Sequence, residues 1–280
     1  MPLSKAEGLV LKRIKFGETS EIITLYTKEF GKLQLIAKGA RDPRKRLSSI
    51  LQFLSHIGVV FYLKEERELQ LLSQAHLINP FWEIKGDLDR FLTASAGAEF
   101  IFRLQIGQQS HPDLFHLLLA FLQRAGNYEC LKSLLISFLL QTSRLLGYGP
   151  SLSQCIHCKR GIASSVKGDL FFSPEEGGLV CRKCARPHAY YLKAPAGLIQ
   201  SLNILSDDLD RAKELTNHKF DFEAAYKLLN PFWEYYATGY RSLKALGVYG
   251  NCNRKGKSEE CGGASCSSGR PTTGDSGSTQ

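Results

Sequence analysis

Two Cys-x-x-Cys pairs, Cys155-Ile-His-Cys158 and Cys181-Arg-Lys-Cys184, constrain this chain more than any other feature. Two residues between cysteines let one tight turn present both sulfurs to one ion, and four thiolates complete the tetrahedron that zinc prefers. A spacer of about 15–20 residues is the usual length for a short ribbon that returns the second pair to the first. Here the spacer, Lys159–Val180, is slightly longer and reads as a hairpin. Its strand is Val166–Phe172 and its turn is Ser173–Gly178, with Gly177-Gly178 supplying the positive φ. The pattern predicts one structural Zn2+ per chain, held by Cys155, Cys158, Cys181 and Cys184. Four thiolates leave no position for water or substrate, so the metal's work is folding, worth on the order of 10 kcal/mol. Disulfides or four free thiols are the alternatives. His157 and His188 read as surface residues beside a complete ligand set.

The charge balance points to a partner class. The chain has 280 residues and a net charge of +9, which favours a polyanion. Leu3–Lys15 lacks the apolar core of a secretory signal. Ile57–Leu63 and Leu134–Leu140 are too short to cross a bilayer. Eight cysteines, four of them in zinc spacing, suit a reducing compartment better than a disulfide framework. The expectation is a soluble, cytosolic protein with no membrane partner.

The N-terminal stretch alternates with β period. Gly8–Ile14, Ile22–Thr27, Lys32–Ala37, His56–Leu63 and Leu69–Leu77 predict five strands. Five strands in one short domain predict a small closed or half-closed barrel; the OB-fold is the commonest nucleic-acid-binding version, and other small barrels share the pattern. Met1–Ser48 holds eleven Lys/Arg against five Asp/Glu. The densest run, Arg41, Arg44, Lys45 and Arg46, gives the expected phosphate contacts, with Lys38, Lys12, Arg13 and Lys15 as secondary ones; Arg182, Lys183 and Arg186 extend the track onto the ribbon, partly offset by the −2 charge of a four-thiolate zinc. A solvated face is the plain alternative for the charges. Phe16, Tyr26 and Phe30 are interleaved with them and able to stack on bases, although most aromatics of a small barrel belong to its core.

Several motifs in order carry a family resemblance: Gly17-Glu-Thr-Ser20, Ile22–Thr27, Phe30-Gly31-Lys32, Ala37-Lys38-Gly39-Ala40-Arg41 and Leu51-Gln-Phe53. Farther on come Leu146-Gly147 to Pro150, Phe172-Ser173, Gly177-Gly178 and both cysteine pairs. From about Met1 to Val248 the chain resembles the bacterial RecO recombination mediators. The resemblance implies an α+β protein: an N-terminal five-stranded OB-fold barrel followed by an α-helical domain with an inserted four-cysteine zinc ribbon. It implies no enzymatic activity. Such proteins bind single- and double-stranded DNA (ssDNA and dsDNA) and anneal complementary strands. With RecR, they help load RecA onto ssDNA coated by single-strand binding protein (SSB). A basic-rimmed apolar groove in the helical domain is the expected seat for the acidic C-terminal tail of SSB.

The rest of the chain reads as helical. Asn79-Pro80 has the form of a helix start, followed by helices over Asp87–Leu104, Leu114–Leu122 and Glu129–Leu146, with Gly147 as a stop. Cys130 reads as a small buried residue. After the ribbon, Pro195–Leu205 reads as a helix, Ser206 as the N-cap of the next, and Asp207, Asp208 and Asp210 as dipole-favoured acids rather than metal ligands. Phe222–Leu229 and Pro231–Leu246 read as two helices meeting at Asn230-Pro231. The repeated Asn-Pro-Phe-Trp-Glu at 79–83 and 230–234 reads as two helix starts, each with a buried aromatic pair. The expected division is an OB domain over 1–80, a helical domain over 81–249 with its zinc module at 150–193, and a disordered tail over 250–280. Cys252, Cys261 and Cys266 lack pair spacing, and Gly256-Lys257-Ser258 lacks the flanking strand and helix of a phosphate loop. Two other functions compete: an RNA- or ribosome-associated binding protein using the same barrel, and a zinc-dependent nuclease. The nuclease lacks a constellation that would activate water.

Overall fold

The computed structural model describes residues 2–42, 44, 46–64, 66–104, 109–161, 170–215 and 220–247. The expectations for Lys45, for Val166–Asp169 and for the tail 250–280 lie outside these residues.

Five strands close on themselves in the order β1-β2-β3-β5-β4: β1 Leu3–Phe16, β2 Ser20–Thr27, β3 Gly31–Ala37, β4 His56–Tyr62 and β5 Leu69–Asn79. Closure depends on the length of β1. Its first half pairs with β4 (Leu3↔Tyr62 to Leu9↔His56) and its second half with β2 (Gly8↔Thr27 to Phe16↔Ser20). A register shift between Val10 and Lys12 bends the strand from one partner to the other. β3 and β5 run parallel, while the other pairs are antiparallel. A short helix, α1 (Leu47–Ile50), precedes β4. This closed five-stranded barrel is the OB-fold. Val10, Ile23, Leu25, Leu35, Val59 and Phe61 fill its interior, as the alternation required.

The helical body is built around α5 (Leu131–Leu145). Packed on it are α3 (Leu88–Arg103), α4 (Pro112–Asn127), α6 (Ala196–Asp207), a 3-10 helix (Leu209–Glu214) and α7 (Phe222–Tyr236). Phe121 of α4 stacks on Phe138 of α5 with ring centroids 4.3 Å apart. Buried serines of α5 satisfy carbonyls that neighbouring elements leave open: Ser137 Oγ donates to Leu205 O (2.7 Å) and Ser133 Oγ to Leu215 O (2.9 Å). Gly147, at φ +84°, ends the segment as expected, and Cys130 is buried.

Several helix boundaries differ from expectation. Asn79 ends β5, and its Oδ1 accepts from Phe81 N–H at 2.8 Å. Phe81 itself is left-handed and only the short α2 (Trp82–Lys85) follows, so α3 is capped by Asp87 instead. Ser206 lies inside α6, and Asp208 is the residue whose carboxylate caps the 3-10 helix. Asn230-Pro231 is not a junction, because α7 runs through it. The two Asn-Pro-Phe-Trp-Glu copies have different fates. In the first, Phe81 is buried but Trp82 is 62% exposed; in the second, Phe232 and Trp233 are both buried in mid-helix.

The ribbon is a four-stranded sheet in the order β6-β8-β7-β9: β6 Ser151–Cys155, β7 Leu170–Ser173, β8 Gly178–Val180 and β9 Leu192–Ala194. β7 and β8 form the expected hairpin. Leu152, Leu170, Phe172, Leu179 and Ala194 join the same apolar cluster as the helices. This half of the ribbon therefore rests on a large core rather than on metal alone.

Candidate metal centre and nucleic-acid interface

Backbone geometry brings the four cysteines together. Cys155 ends β6 and Cys181 directly follows β8, its parallel neighbour. Each pair then turns tightly: Lys159 N–H donates to Cys155 O (2.9 Å), and Cys184 N–H donates to Cys181 O (2.9 Å). Of the two glycines in the hairpin turn, only Gly177 has positive φ, at +72°. Gly178 is required for space, since a Cβ there would sit 2.5 Å from Ile156 Cγ2 and 2.9 Å from Ser151 O.

All four sulfurs lie within 4.8 Å of one another. Four sulfurs at about 2.3 Å from an ion would form a tetrahedron with edges of about 3.8 Å; Cys158 Sγ and Cys181 Sγ are 3.9 Å apart. The donor set and spacing therefore fit a metal ion. Burial pushes the Cys155 thiol up, but N–H donors of Cys158, Cys181 and His157 outweigh it and bring the group down to about 6. Hydrogen bonding to the Cys181 thiol pushes Cys184 up to about 12. A metal ion binds cysteine as thiolate, so its binding releases the protons that these thiols hold. His157 pairs with Glu176 at 2.9 Å, outside the ligand set, and His188 is exposed. Among the described residues, the cysteines are the one group of three or more His, Cys, Asp or Glu close enough to share an ion. The acidic run beyond them is otherwise engaged: Asp210 pairs with Arg124 (2.5 Å) and Asp207 with Arg211 (2.6 Å).

The predicted phosphate contacts divide into two groups. Arg41 N–H donates to Thr19 O (2.9 Å), and its guanidinium donates to Glu18 O (3.0 Å) and Gly17 O (3.4 Å). These bonds fasten the loop after β3 to the β1–β2 turn. Lys15, Lys38, Arg41, Arg44 and Arg46 are exposed along this part of the barrel, where OB-folds use the β1–β2 loop to hold oligonucleotides. Phe16 lies at the same turn and is 47% exposed. Two candidates separate from the group. Arg13 pairs with Glu21 at 2.8 Å, and Lys12 lies over the Phe102 ring at 4.9 Å, facing the helical body. Tyr26 is fully buried and Phe30 packs edge-on against Phe61, so of the three aromatics only Phe16 is positioned to stack on a base. Lys159 and Arg160, both exposed, directly follow Cys158 in the first ligand turn.

No helix among the described residues is long and apolar enough to cross a membrane. The fold and the site define a class: an OB-barrel protein with a basic loop rim, joined to a helical body that carries a four-thiol ribbon. Residues 1–81 match the family described as Recombination protein O N terminal, and residues 85–245 match Recombination protein O C terminal. The chain belongs to the recombination protein O family. It is 37% identical over 212 residues to the DNA repair protein RecO of Heliobacterium modesticaldum, covering 74% of this chain and 76% of that one. It is 35% identical over 180 residues to the RecO of Syntrophus aciditrophicus, covering 64% and 69%, respectively.

Proposed function

We propose that this chain is a DNA-repair and recombination mediator with no catalytic chemistry of its own. It binds ssDNA and dsDNA, anneals complementary strands and, with RecR, helps load RecA onto ssDNA coated by SSB in the bacterial cytosol. The observation that carries this reading is the rim of a closed OB barrel in a recombination protein O chain. There Arg41 ties the basic loop to the β1–β2 turn and so holds cations and Phe16 on one surface. Phosphates need only cations within reach, and a preformed arrangement lowers the entropy lost on binding. In this reading Lys15, Lys38, Arg41, Arg44, Lys45 and Arg46 hold the backbone, while Phe16 stacks on a base. Residues 1–80 hold DNA and residues 81–249 meet protein partners, including RecR and the acidic SSB tail. One Zn2+, held by Cys155, Cys158, Cys181 and Cys184, supplies structural cross-linking and no reaction step.

The test is annealing of complementary SSB-coated strands without ATP, alongside ssDNA binding across a salt series. The parent chain anneals; Arg41→Gln, Arg44→Gln and Arg46→Gln together weaken binding and flatten the log–log salt slope by about 2 for three lost single-strand contacts. Absence of annealing with preferential binding of structured RNA would move the assignment to an RNA-associated protein.

A further inference from the structure

The ribbon carries a second cationic surface. Its two ligand turns contain Lys159, Arg160, Arg182, Lys183 and Arg186, and neither 155–161 nor 181–188 contains a carboxylate. All five cations are exposed, and none is ion-paired among the described residues. Because the four sulfurs lie within 4.8 Å of one another, the two turns abut, and the chain segments that carry these cations meet at the ligand end of the ribbon, its tip. A four-thiolate zinc site has a formal charge of −2, so the tip stays positive after the metal is counted. Across the hairpin turn Glu176 is already engaged by His157 at 2.9 Å. Tyr190, 60% exposed, follows the second turn.

Backbone conformation supplies an independent argument. Lys159 stands at φ +56°, in the left-handed region where a Cβ is crowded and glycine is at ease. The position closes the first turn: its N–H donates to Cys155 O (2.9 Å), and Cys155 N–H donates to Arg160 O (3.0 Å). Glycine would serve that turn better. The lysine keeps a charge at the tip despite that conformational preference, one this chain also overrides at Leu54, Phe81 and His188.

We infer that the ligand turns form a second nucleic-acid contact, holding the phosphates of one DNA strand while the barrel rim holds another. The ribbon packs against α6 and the barrel against α3, so the two surfaces leave the helical body from different elements. This inference rests on the proposed DNA-binding function and adds a second strand site to it. Two cationic surfaces on one chain let complementary strands be held together, so the tip matters more for annealing than for binding a single strand.

The experiment titrates labelled ssDNA into the full chain across a salt series, then measures annealing, melting temperature and zinc content on the same preparations. Arg160→Gln, Arg182→Gln and Lys183→Gln together reduce the salt slope by about 2 and slow annealing, with zinc content unchanged; Lys159→Gly reduces the slope by about 0.7. Lys159→Gly also melts no lower than the parent, because it relieves the left-handed lysine. A purely structural lysine would give a raised melting temperature with the DNA slope and annealing unchanged, and that result overturns the inference. Should the triple variant lose zinc, Lys159→Gly decides alone. The barrel-rim variant separates the two readings. Loss at the rim with none at the tip leaves the proposed function standing and removes the second contact, whereas loss at neither removes both. A tip that binds a poly-glutamate peptide but not DNA overturns the inference as well.

Discussion

At Gly178 the lack of a side chain is a packing requirement. A Cβ there would meet Ile156 Cγ2 at 2.5 Å and Ser151 Cβ at 2.8 Å, across the β6–β8 contact that sets the two cysteine pairs side by side. Gly178→Ala should cost about 1–3 kcal/mol through overpacking and weaken zinc retention. Gly177→Ala should cost about 1–2 kcal/mol through its left-handed φ and leave the cysteines in place. Denaturant unfolding with a zinc-release assay distinguishes them; equal zinc affinity in both variants would contradict the packing argument. The cysteines themselves were legible from spacing alone, because a tight turn is a local event. Arg13 was not. Its neutralising partner Glu21 is eight residues away, and only the β1–β2 register brings the two within 2.8 Å. Composition counts a charge but does not show whether pairing has consumed it.

Strands and ribbon behave differently when their supports are removed. The inner strands of the ribbon share the helical core through Leu152, Leu170, Phe172 and Leu179, while Tyr236 OH bonds Glu175 O at 2.7 Å. The ligand turns lack that support. Chelation should therefore fray 155–161 and 181–191 and spare the helical body, unlike an isolated zinc finger, which unfolds without metal. Amide exchange on chelated protein reads this directly; cooperative loss of α5 protection would contradict it. A second support lies where α3 ends. Lys32 of β3 donates to Phe102 O (2.6 Å) and to Leu104 O, satisfying carbonyls at the C-terminus of α3. Burial lowers the Lys32 amine to about 8 from 10.5. Above that value the folded chain has released a proton that the unfolded chain still binds, so this group makes stability rise with pH between about 8 and 10.5. The Lys32→Met variant should lack that rise; an unchanged pH profile would remove Lys32 as its source. Strand and helix identities were legible because each is a local period. Helix limits failed where a distant group overrode a local signal. Asn-Pro reads as a start, yet α7 continues through Pro231 because Phe232 and Trp233 are buried, with Trp233 Nε1 bonded to Ser143 Oγ at 2.9 Å.

The whole molecule is held by a junction that no periodicity announces. Leu9, Leu11, Tyr26 and Leu54 belong to the barrel by sequence, yet they are buried in the same cluster as the helices. Phe115 of α4 stands at the centre of that junction, 6.5 Å from the Tyr26 ring and 6.0 Å from His56. Alternation predicts that one face of a strand is buried but does not say what covers it, so the strands could be read while their docking could not. The junction should make barrel and helical body unfold as one cooperative unit. Phe115→Ala removes a fully buried ring and should cost about 3–5 kcal/mol. Because the loss falls between the two parts and leaves the barrel interior of Val10, Leu25 and Phe61 untouched, calorimetry should resolve two transitions in the variant where the parent shows one. On the proposed mediator function, strand annealing should also fall with the coupling, because a rim and a tip that each hold a strand bring the two together only while the body between them is rigid. A single transition in Phe115→Ala, merely shifted to lower temperature, would show that the other junction residues suffice and that Phe115 contributes bulk stability without governing the coupling.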